Sequence, residues 1–415
     1  MFQSPRMVSY QVHDLKKARD WYSAILETAP VLDTPISCVF SIGDCSMALV
    51  PERDKRGGDS GGVVYWNVDD IDAAYRRLVE AGAESVAEIT LLMTRSRIAR
   101  LRDPFGNVIG IISASQKKTS VEDRPSESAL TVAFFRALAT YDRREEIRGP
   151  DNLAELFLAD EGKKSLKDPG VPEWMIKQST GPYEYFIART AYGDSIFRQA
   201  LRDRVPQIVC LGAGYDTRPY RFQALIEGTR VFELDALPTQ QRKRQLLNKA
   251  NVVAPPQLVF VSINFEKEMP AEVLSKAGFD RNQKTLFVWE GVTYYLTPEA
   301  VDATLAFIRD NSAGGSTICF DYMVQAPDMA SRHGVKAIYE AWRKIYSSEH
   351  VQFGIDEGSL ERFLLQRGFR LLENLTTEQI ENRFLTLKDG TLAGRVLALF
   401  NIAYAETVPT ADGRR

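Results

Sequence analysis

The chain has 415 residues, 44% of them hydrophobic and 26% charged, with a formal net charge of −3. That length exceeds one ordinary domain, and the balance is apolar enough to bury real cores. No Lys/Arg block is long enough to track a phosphate backbone and no stretch nears the ~20 apolar residues that cross a bilayer, so neither nucleic acid nor a membrane is an expected partner. The start, "MFQSPRMVSYQV", lacks the basic lead and apolar run of a signal peptide, and a cytoplasmic protein is expected. Cys38, Cys45, Cys210 and Cys319 lie in apolar runs without metal-type or redox-type spacing and read as buried free thiols.

The first feature in chain order is a repeat. Val12, Asp14, Leu15 and Ala18 in "VHDLKKARDWYSAIL" match Val68, Asp70, Ile71 and Ala74 in "VDDIDAAYRRLVEAG", each pair 56 residues apart. In both copies a strand runs into an Asp able to cap an amphipathic helix, and alternating strands follow, which predicts β-α-β-β-β twice. The polar segment that follows predicts a linker, giving domains at 1–114 and 126–415 joined by residues 115–125. Beyond it come helical stretches ("SALTVAFFRALATYDRREEI", "GDSIFRQALRDR") and then strands alternating with helices: "QIVCLGAG", "TRVFELD", "LVFVSINF", "KTLFVWEGV", "STICFDYM", "FRLLENL" and "RVLALFNIAYA". This alternation predicts an α/β fold, a largely parallel sheet doubly wound by helices, with ligands at the carboxyl ends of its strands.

Backbone approaches a ligand closely only where side chains are missing, so Gly212 and Gly214 after "IVCL" mark such a turn. A dinucleotide fingerprint asks for a third glycine where this chain has Thr217, and "RPYR" would crowd a pyrophosphate, so a nicotinamide site is disfavoured. Glu233 and Asp235 end the next strand about 20 residues on, where an acid can receive ribose hydroxyls; one of the two can equally cap the following helix.

In this order, "IVCLGAGYDTRPYR", "VFELD", "LFVWEGVTYYL" and "GGSTICFDYM" resemble the S-adenosylmethionine-dependent methyltransferases of the leucine carboxyl methyltransferase family, including its bacterial small-molecule O-methyltransferase branch. The resemblance covers roughly residues 124 to 406 and implies a Rossmann-like class I methyltransferase domain. It assigns Arg189, in "FIARTAYGDSIF", to the methionyl carboxylate of the cofactor, Gly212 and Gly214 to its methionyl and ribose portion, and Asp235 with Glu233 to the ribose hydroxyls. Asn264 and Phe265 stand where the family has Asp-Leu at the adenine, and the Asn oxygen can still accept from the adenine amino group. The resemblance also places Glu290 near the sulfonium and the cofactor's amino group, with Tyr294 and Tyr295 presenting aromatic faces to the cation. Tyr295 and His350 are the catalytic candidates; His333 and His350 fall where family members build a substrate lid, and His13 lies in the other domain. A carboxylate acceptor needs no base at neutral pH whereas a hydroxyl does, so three histidines lean toward carboxyl methylation.

The paired N-terminal units, with "LRDPFGNVIGII", resemble the vicinal oxygen chelate superfamily of glyoxalases, extradiol dioxygenases and bleomycin-resistance proteins, an α+β fold, over roughly residues 5 to 113. Its metal enzymes carry ligands at positions held here by Met7, Val63 and Gly110, so no metal site is expected. That leaves a ligand-binding module, a module that pairs two chains into a homodimer, or a relic. "GDSGG" at 58–62 copies a serine-protease string in a charged, glycine-rich connector and reads as a loop.

The leading expectation is an S-adenosylmethionine-dependent O-methyltransferase acting on a carboxylate or hydroxyl of a small molecule. The alternatives are a sequestering protein that binds through its N-terminal fold, with the methyltransferase half as scaffold, and a carboxyl methyltransferase acting on a protein terminus.

Overall fold

The computed structural model describes residues 5–12, 14–26, 28–42, 45–51, 63–91, 96–103, 108–113, 125–264, 267–336 and 352–408. His13, Phe265, His350, the "GDSGG" string and all of the expected linker but its last residue lie outside them. The chain divides into two compact units, one of Met1–Lys118 with Ala159–Trp174, the other of Thr119–Leu158 with Met175–Arg415.

The first unit contains β1 (Pro5–Val12), α1 (Leu15–Ile25), β2 (Leu32–Thr34), β3 (Ser37–Ile42) and β4 (Cys45–Pro51), then β5 (Val63–Asn67), α2 (Ile71–Glu80), β6 (Glu84–Leu91), β7 (Arg97–Arg102) and β8 (Val108–Ser113). Asp14 and Asp70 cap the two helices as the repeat predicts, accepting at 3.0 Å from the amides of Lys17 and Ala73. The sheet runs β2-β3-β4-β1-β5-β8-β7-β6, so the copies meet along antiparallel β1 and β5, and in each copy the first strand pairs parallel with the last. Each helix covers its own half: Leu15, Ala18 and Tyr22 pack on Cys38, Phe40, Met47 and Leu49, and Ile71 and Ala74 on Ala99, Leu101 and Ile111. Cys38, Cys210 and Cys319 are buried free thiols, while Cys45 is half-buried.

The second unit contains α3 (Glu127–Ala139) and α6 (Pro182–Arg202); between them in the chain come α4 (Asp160–Lys167), grouped with the first unit, and α5 (Val171–Gln178), whose residues up to Trp174 are grouped with the first unit and the rest with the second. The sheet follows: β9 (Gln207–Leu211), β10 (Arg230–Asp235), β11 (Leu258–Ser262), β12 (Thr285–Trp289), β13 (Thr317–Gln325), β14 (Ile355–Asp356), β15 (Phe369–Leu375) and β16 (Phe400–Thr407). Its order is β11-β10-β9-β12-β13-β16-β15, with the first five parallel and β16 antiparallel to both its neighbours, and short β14 pairs with β13. β9 and β12 are buried along their whole length, as continuous apolar strands covered on both faces must be. Strand order reverses between β9 and β12, which opens a crevice at their carboxyl ends.

The stretch that reads as one strand from Arg395 enters the sheet only at Phe400, and the helix expected to run to Ile147 stops at Ala139, where the amides of Thr140 and Tyr141 turn back onto Ala137 and Leu138. Conversely, "GDSIFRQALRDR", except for Asp203 and Arg204, is the second half of the 21-residue α6. Tyr185, Arg189 and Gly193 recur on it every four residues, so they share one face. Among the described residues no helix is long and apolar enough to cross a membrane.

Candidate active site

β9 breaks at two glycines in the left-handed region, Gly212 (φ 69°) and Gly214 (φ 50°), where a side chain is strained. Space excludes one as well: a Cβ on Gly212 would stand 2.9 Å from Val292 Cγ2, and one on Gly214 3.0 Å from Ala129 Cβ on α3. The amides of Gly212 and Ala213 donate to the carbonyl of Leu234 at 2.9 and 3.0 Å, tying the turn to β10. The Gly214 amide donates to Asp235 Oδ2, and the Ala236 amide to Asp235 Oδ1 at 2.7 Å. An ionised carboxylate has about four acceptor positions, more than these two amides use.

Glu233, expected beside Asp235 at the ribose, is elsewhere. It is fully buried with its Oε2 2.7 Å from Lys243 Nζ, itself fully buried, and its carbonyl accepts from Gln240. Burial pushes its carboxyl up to about 7, against the pull of Lys243. The expectation for Glu233 is corrected on this geometry: a carboxylate with no exposed surface supports β10 and α7 (Leu237–Lys249) from inside, and of the two acids Asp235 faces the turn.

Arg218, in the string after the glycines, gathers three acids. Its Nε donates to Asp194 at 3.0 Å, its Nη1 to Asp216 at 2.9 Å, and its Nη2 to both oxygens of Glu290 at 2.9 Å. Arg221 grips the same Asp194 at 2.6 and 2.8 Å. Burial opposes the charge on Asp216, but Arg218, Lys243 and Arg136 together outweigh it and hold the carboxyl down at about 2. Mid-helix Gly193 explains how Glu290 and Arg218 come so near α6: a Cβ there would collide with both side chains.

Arg189 is 4% exposed, and its Nη1 donates at 2.8 Å to Oδ2 of fully buried Asp321, where the Tyr185 hydroxyl also donates at 2.8 Å. Asp321 Oδ1 accepts from the Gly291 amide at 2.6 Å, and the Asp321 carbonyl from Thr293 Oγ1 at 2.5 Å. The Nε of Arg189 is buried and makes no hydrogen bond with the described residues. A buried donor left so costs about 1–3 kcal/mol, which an acceptor on a ligand would recover.

Arg189, Gly212, Gly214, Asp235 and Glu290 thus converge at the carboxyl ends of β9, β10 and β12. Half-buried Asn264 follows β11 next door, its amide donating to Glu268 at 2.8 Å. Tyr294 is buried and Tyr295 half-buried, their rings 4.6 Å apart, and Gln352 donates to the carbonyls of both. His333 is half-buried, and its carbonyl accepts from Ala398 at 3.1 Å. Two open clefts, of about 670 and 790 Å3, lie elsewhere, one against Tyr220 and Val252 and the other against Tyr322 and Asn401; none of the converging residues lines either.

In the first unit the Tyr65 ring lies on Gly110, where a Cβ would stand 2.6 Å from Cδ1 of that ring. Met7 pairs with Tyr65 across β1 and β5, and Gly110 with Tyr65 across β5 and β8, so Tyr65 stands beside two of the three positions at which the resemblance implies metal ligands. Among the described residues no three His, Cys, Asp or Glu side chains gather to hold an ion.

Residues 129–309 match the family model for leucine carboxyl methyltransferase. A Bacillus subtilis protein is 30% identical over 207 residues, 50% of this chain and 68% of that protein. A Mycobacteroides abscessus protein is 32% identical over 240 residues, 54% of this chain and 78% of its own. Both bear the provisional name S-adenosyl-L-methionine-dependent methyltransferase. The chain belongs to the leucine carboxyl methyltransferase family. A Streptomyces coelicolor relative of the same provisional name is 32% identical, and the match takes in 46% of this chain and 66% of that protein, so the chain spans about two thirds of the length of such relatives. Residues 5–111 match the glyoxalase/bleomycin resistance protein/dioxygenase superfamily. A solved Thermobifida fusca structure, provisionally described as a methyltransferase, aligns at 17% identity with 69% of this chain and 96% of its own, with a TM-score of 0.46.

For this member of the leucine carboxyl methyltransferase family, sequence reasoning passed over Asp321 and left Arg218 and Asp194 without roles. A signal existed for Asp321: a lone acid inside the apolar run "TICFDYM" must find a partner once buried.

Proposed function

We propose that the chain is an S-adenosylmethionine-dependent methyltransferase that methylates an oxygen, carboxylate or hydroxyl, of a small molecule. The carrying observation is Arg189: a buried guanidinium beside the glycine turn, anchored at one nitrogen, whose Nε has no acceptor among the described residues. A carboxylate is the acceptor that suits such a fork. Asp235 would take the ribose hydroxyls, the glycine turn would let the backbone approach, and Asn264 would accept from the adenine amino group. Glu290 would meet the amino group, with Tyr294 and Tyr295 against the cation.

When bound, the cofactor supplies an electrophilic methyl on a sulfonium. The protein's part is positioning and exclusion of water. A carboxylate acceptor arrives ionised and asks for no base; for a hydroxyl, Tyr295 and His350 are the candidates to hold its proton. The intact ion pairs of Arg189, Arg218 and Glu290 favour an enzyme over a scaffold, because a site released from function has no need to keep buried charges aligned.

The test is calorimetric titration of the full chain with S-adenosylmethionine and, separately, with a nicotinamide dinucleotide. Binding of the first alone is expected, followed by methyl transfer to members of a panel of carboxylic acids and phenols. No binding of the first overturns the proposal.

A further inference from the structure

We infer that Asp321 is a positioning residue that aims Arg189 at the cofactor's carboxylate, an inference that rests on the cofactor reading above. Asp321 touches no part of a ligand: it has no exposed surface and sits within β13. It reaches the site through others. One oxygen accepts from Tyr185 and Arg189 of α6, the second from the Gly291 amide directly after Glu290, and its carbonyl accepts from Thr293 two residues farther on. A single side chain therefore sets α6 and the turn after β12 against each other.

The way it holds Arg189 matters. The ion pair uses Nη1 and leaves the buried Nε without an acceptor among the described residues, and two parallel N–H bonds from the edge that Nε shares with Nη2 to a carboxylate are the strongest contact Arg makes. Gly291 keeps that neighbourhood clear. It lies at φ 74°, and a Cβ there would stand 3.2 Å from Nη1 and 3.7 Å from Nη2. Glu290 does not take the place of that acceptor, because Arg218 engages both its oxygens. Of these two guanidiniums, Arg218 has acids on all three nitrogens and Arg189 on one.

A merely structural Asp321 and a positioning one differ in selectivity. S-adenosylhomocysteine carries the carboxylate that Arg189 would meet; 5′-methylthioadenosine has the same nucleoside and thioether without it. Both ligands would be titrated by calorimetry into the wild-type chain, Asp321→Asn and Tyr185→Phe. For Asp321→Asn, affinity for S-adenosylhomocysteine should fall about tenfold to a hundredfold, the scale of one charge-assisted contact, while 5′-methylthioadenosine stays within about threefold. Tyr185→Phe removes one donor and leaves the ion pair, so it should show the same selective loss on a smaller scale, and it decides the matter if Asp321→Asn fails to fold. Equal weakening of both ligands in a folded variant, or unchanged affinity for S-adenosylhomocysteine, overturns the inference. A wild-type chain that binds neither ligand fails the cofactor reading itself, and this inference with it.

Discussion

The amide of Gly214 donates to the carboxylate of Asp235, so the glycine turn after β9 and the acid that ends β10 form one hydrogen-bonded unit. Asp235→Asn leaves one oxygen for two backbone donors, and either Gly214 or Ala236 then faces an amide NH2. Cofactor affinity should fall by about 1.5–3 kcal/mol, the worth of a hydrogen bond to a charged group. Calorimetry with S-adenosylhomocysteine, beside urea unfolding, checks this: lower stability at unchanged affinity would leave Asp235 with the turn and no ligand.

Arg189→Ala removes more than a ligand contact. Asp321 keeps its bonds from Tyr185 and Gly291 but loses its cation in a site with no exposure, and breaking such a pair costs about 3–5 kcal/mol. A urea midpoint should report that loss without ligand present. Arg189→Lys keeps the charge and gives up the planar fork, so it should restore most of the stability and little of the cofactor affinity.

The Tyr65 ring on Gly110 sets a third expectation. Gly110→Ala would press a methyl group into that ring, and overpacking of this kind costs about 1–3 kcal/mol, seen as a lower unfolding midpoint. Added zinc, or a chelator, should leave the melting temperature of the wild-type chain unmoved. A chelator-sensitive melting temperature would reveal an ion on residues other than Met7, Val63 and Gly110.

What could be read from the sequence follows from where each signal resides. Caps, alternation and the matched Asp14 and Asp70 are local, and so is the left-handed need of Gly212 and Gly214; these carried the repeat, the doubly wound class and the turn. Glu233 and Asp235 were inseparable because they sit two apart on one strand and both lie about the right distance from the glycines. What divides them is Lys243, which stands in "QQRKRQ", a string that looks like a solvated helix face, yet is fully buried. Arg218 meets Asp194 across 24 residues and Glu290 across 72, and no spacing rule reaches that far.

Glu233 also sets a pH dependence. Its folded carboxyl, at about 7, lies above the ordinary 4.5, so between those values the native chain holds a proton that the unfolded chain has released. Stability should fall as pH rises through that window, with a penalty on the order of 3 kcal/mol fully present above it. Asp216 has the opposite sign: at about 2 against an ordinary 3.8, it contributes above pH 3.8 and that contribution is lost as pH falls toward 2. Urea unfolding at pH 5 and pH 8 tests the first, and Glu233→Gln should flatten the difference.

Gly193 offers a test in which two effects oppose. It lies inside α6 with ordinary helical neighbours, so Gly193→Ala should stabilise the helix by about 1 kcal/mol through propensity alone. The added Cβ, however, would strike the ends of Glu290 and Arg218. Long side chains usually move aside, but Arg218 is held by Asp194 and Asp216 as well as Glu290 and is 4% exposed, so yielding means parting Arg218 from Glu290. Overpacking at about 1–3 kcal/mol then exceeds the propensity gain, and the variant should be less stable despite the better helix former. With Glu290 displaced, affinity for S-adenosylhomocysteine should drop about tenfold. A variant that is more stable and binds unchanged would mean that Glu290 rearranges freely and that its pairing with Arg218 does not define the site.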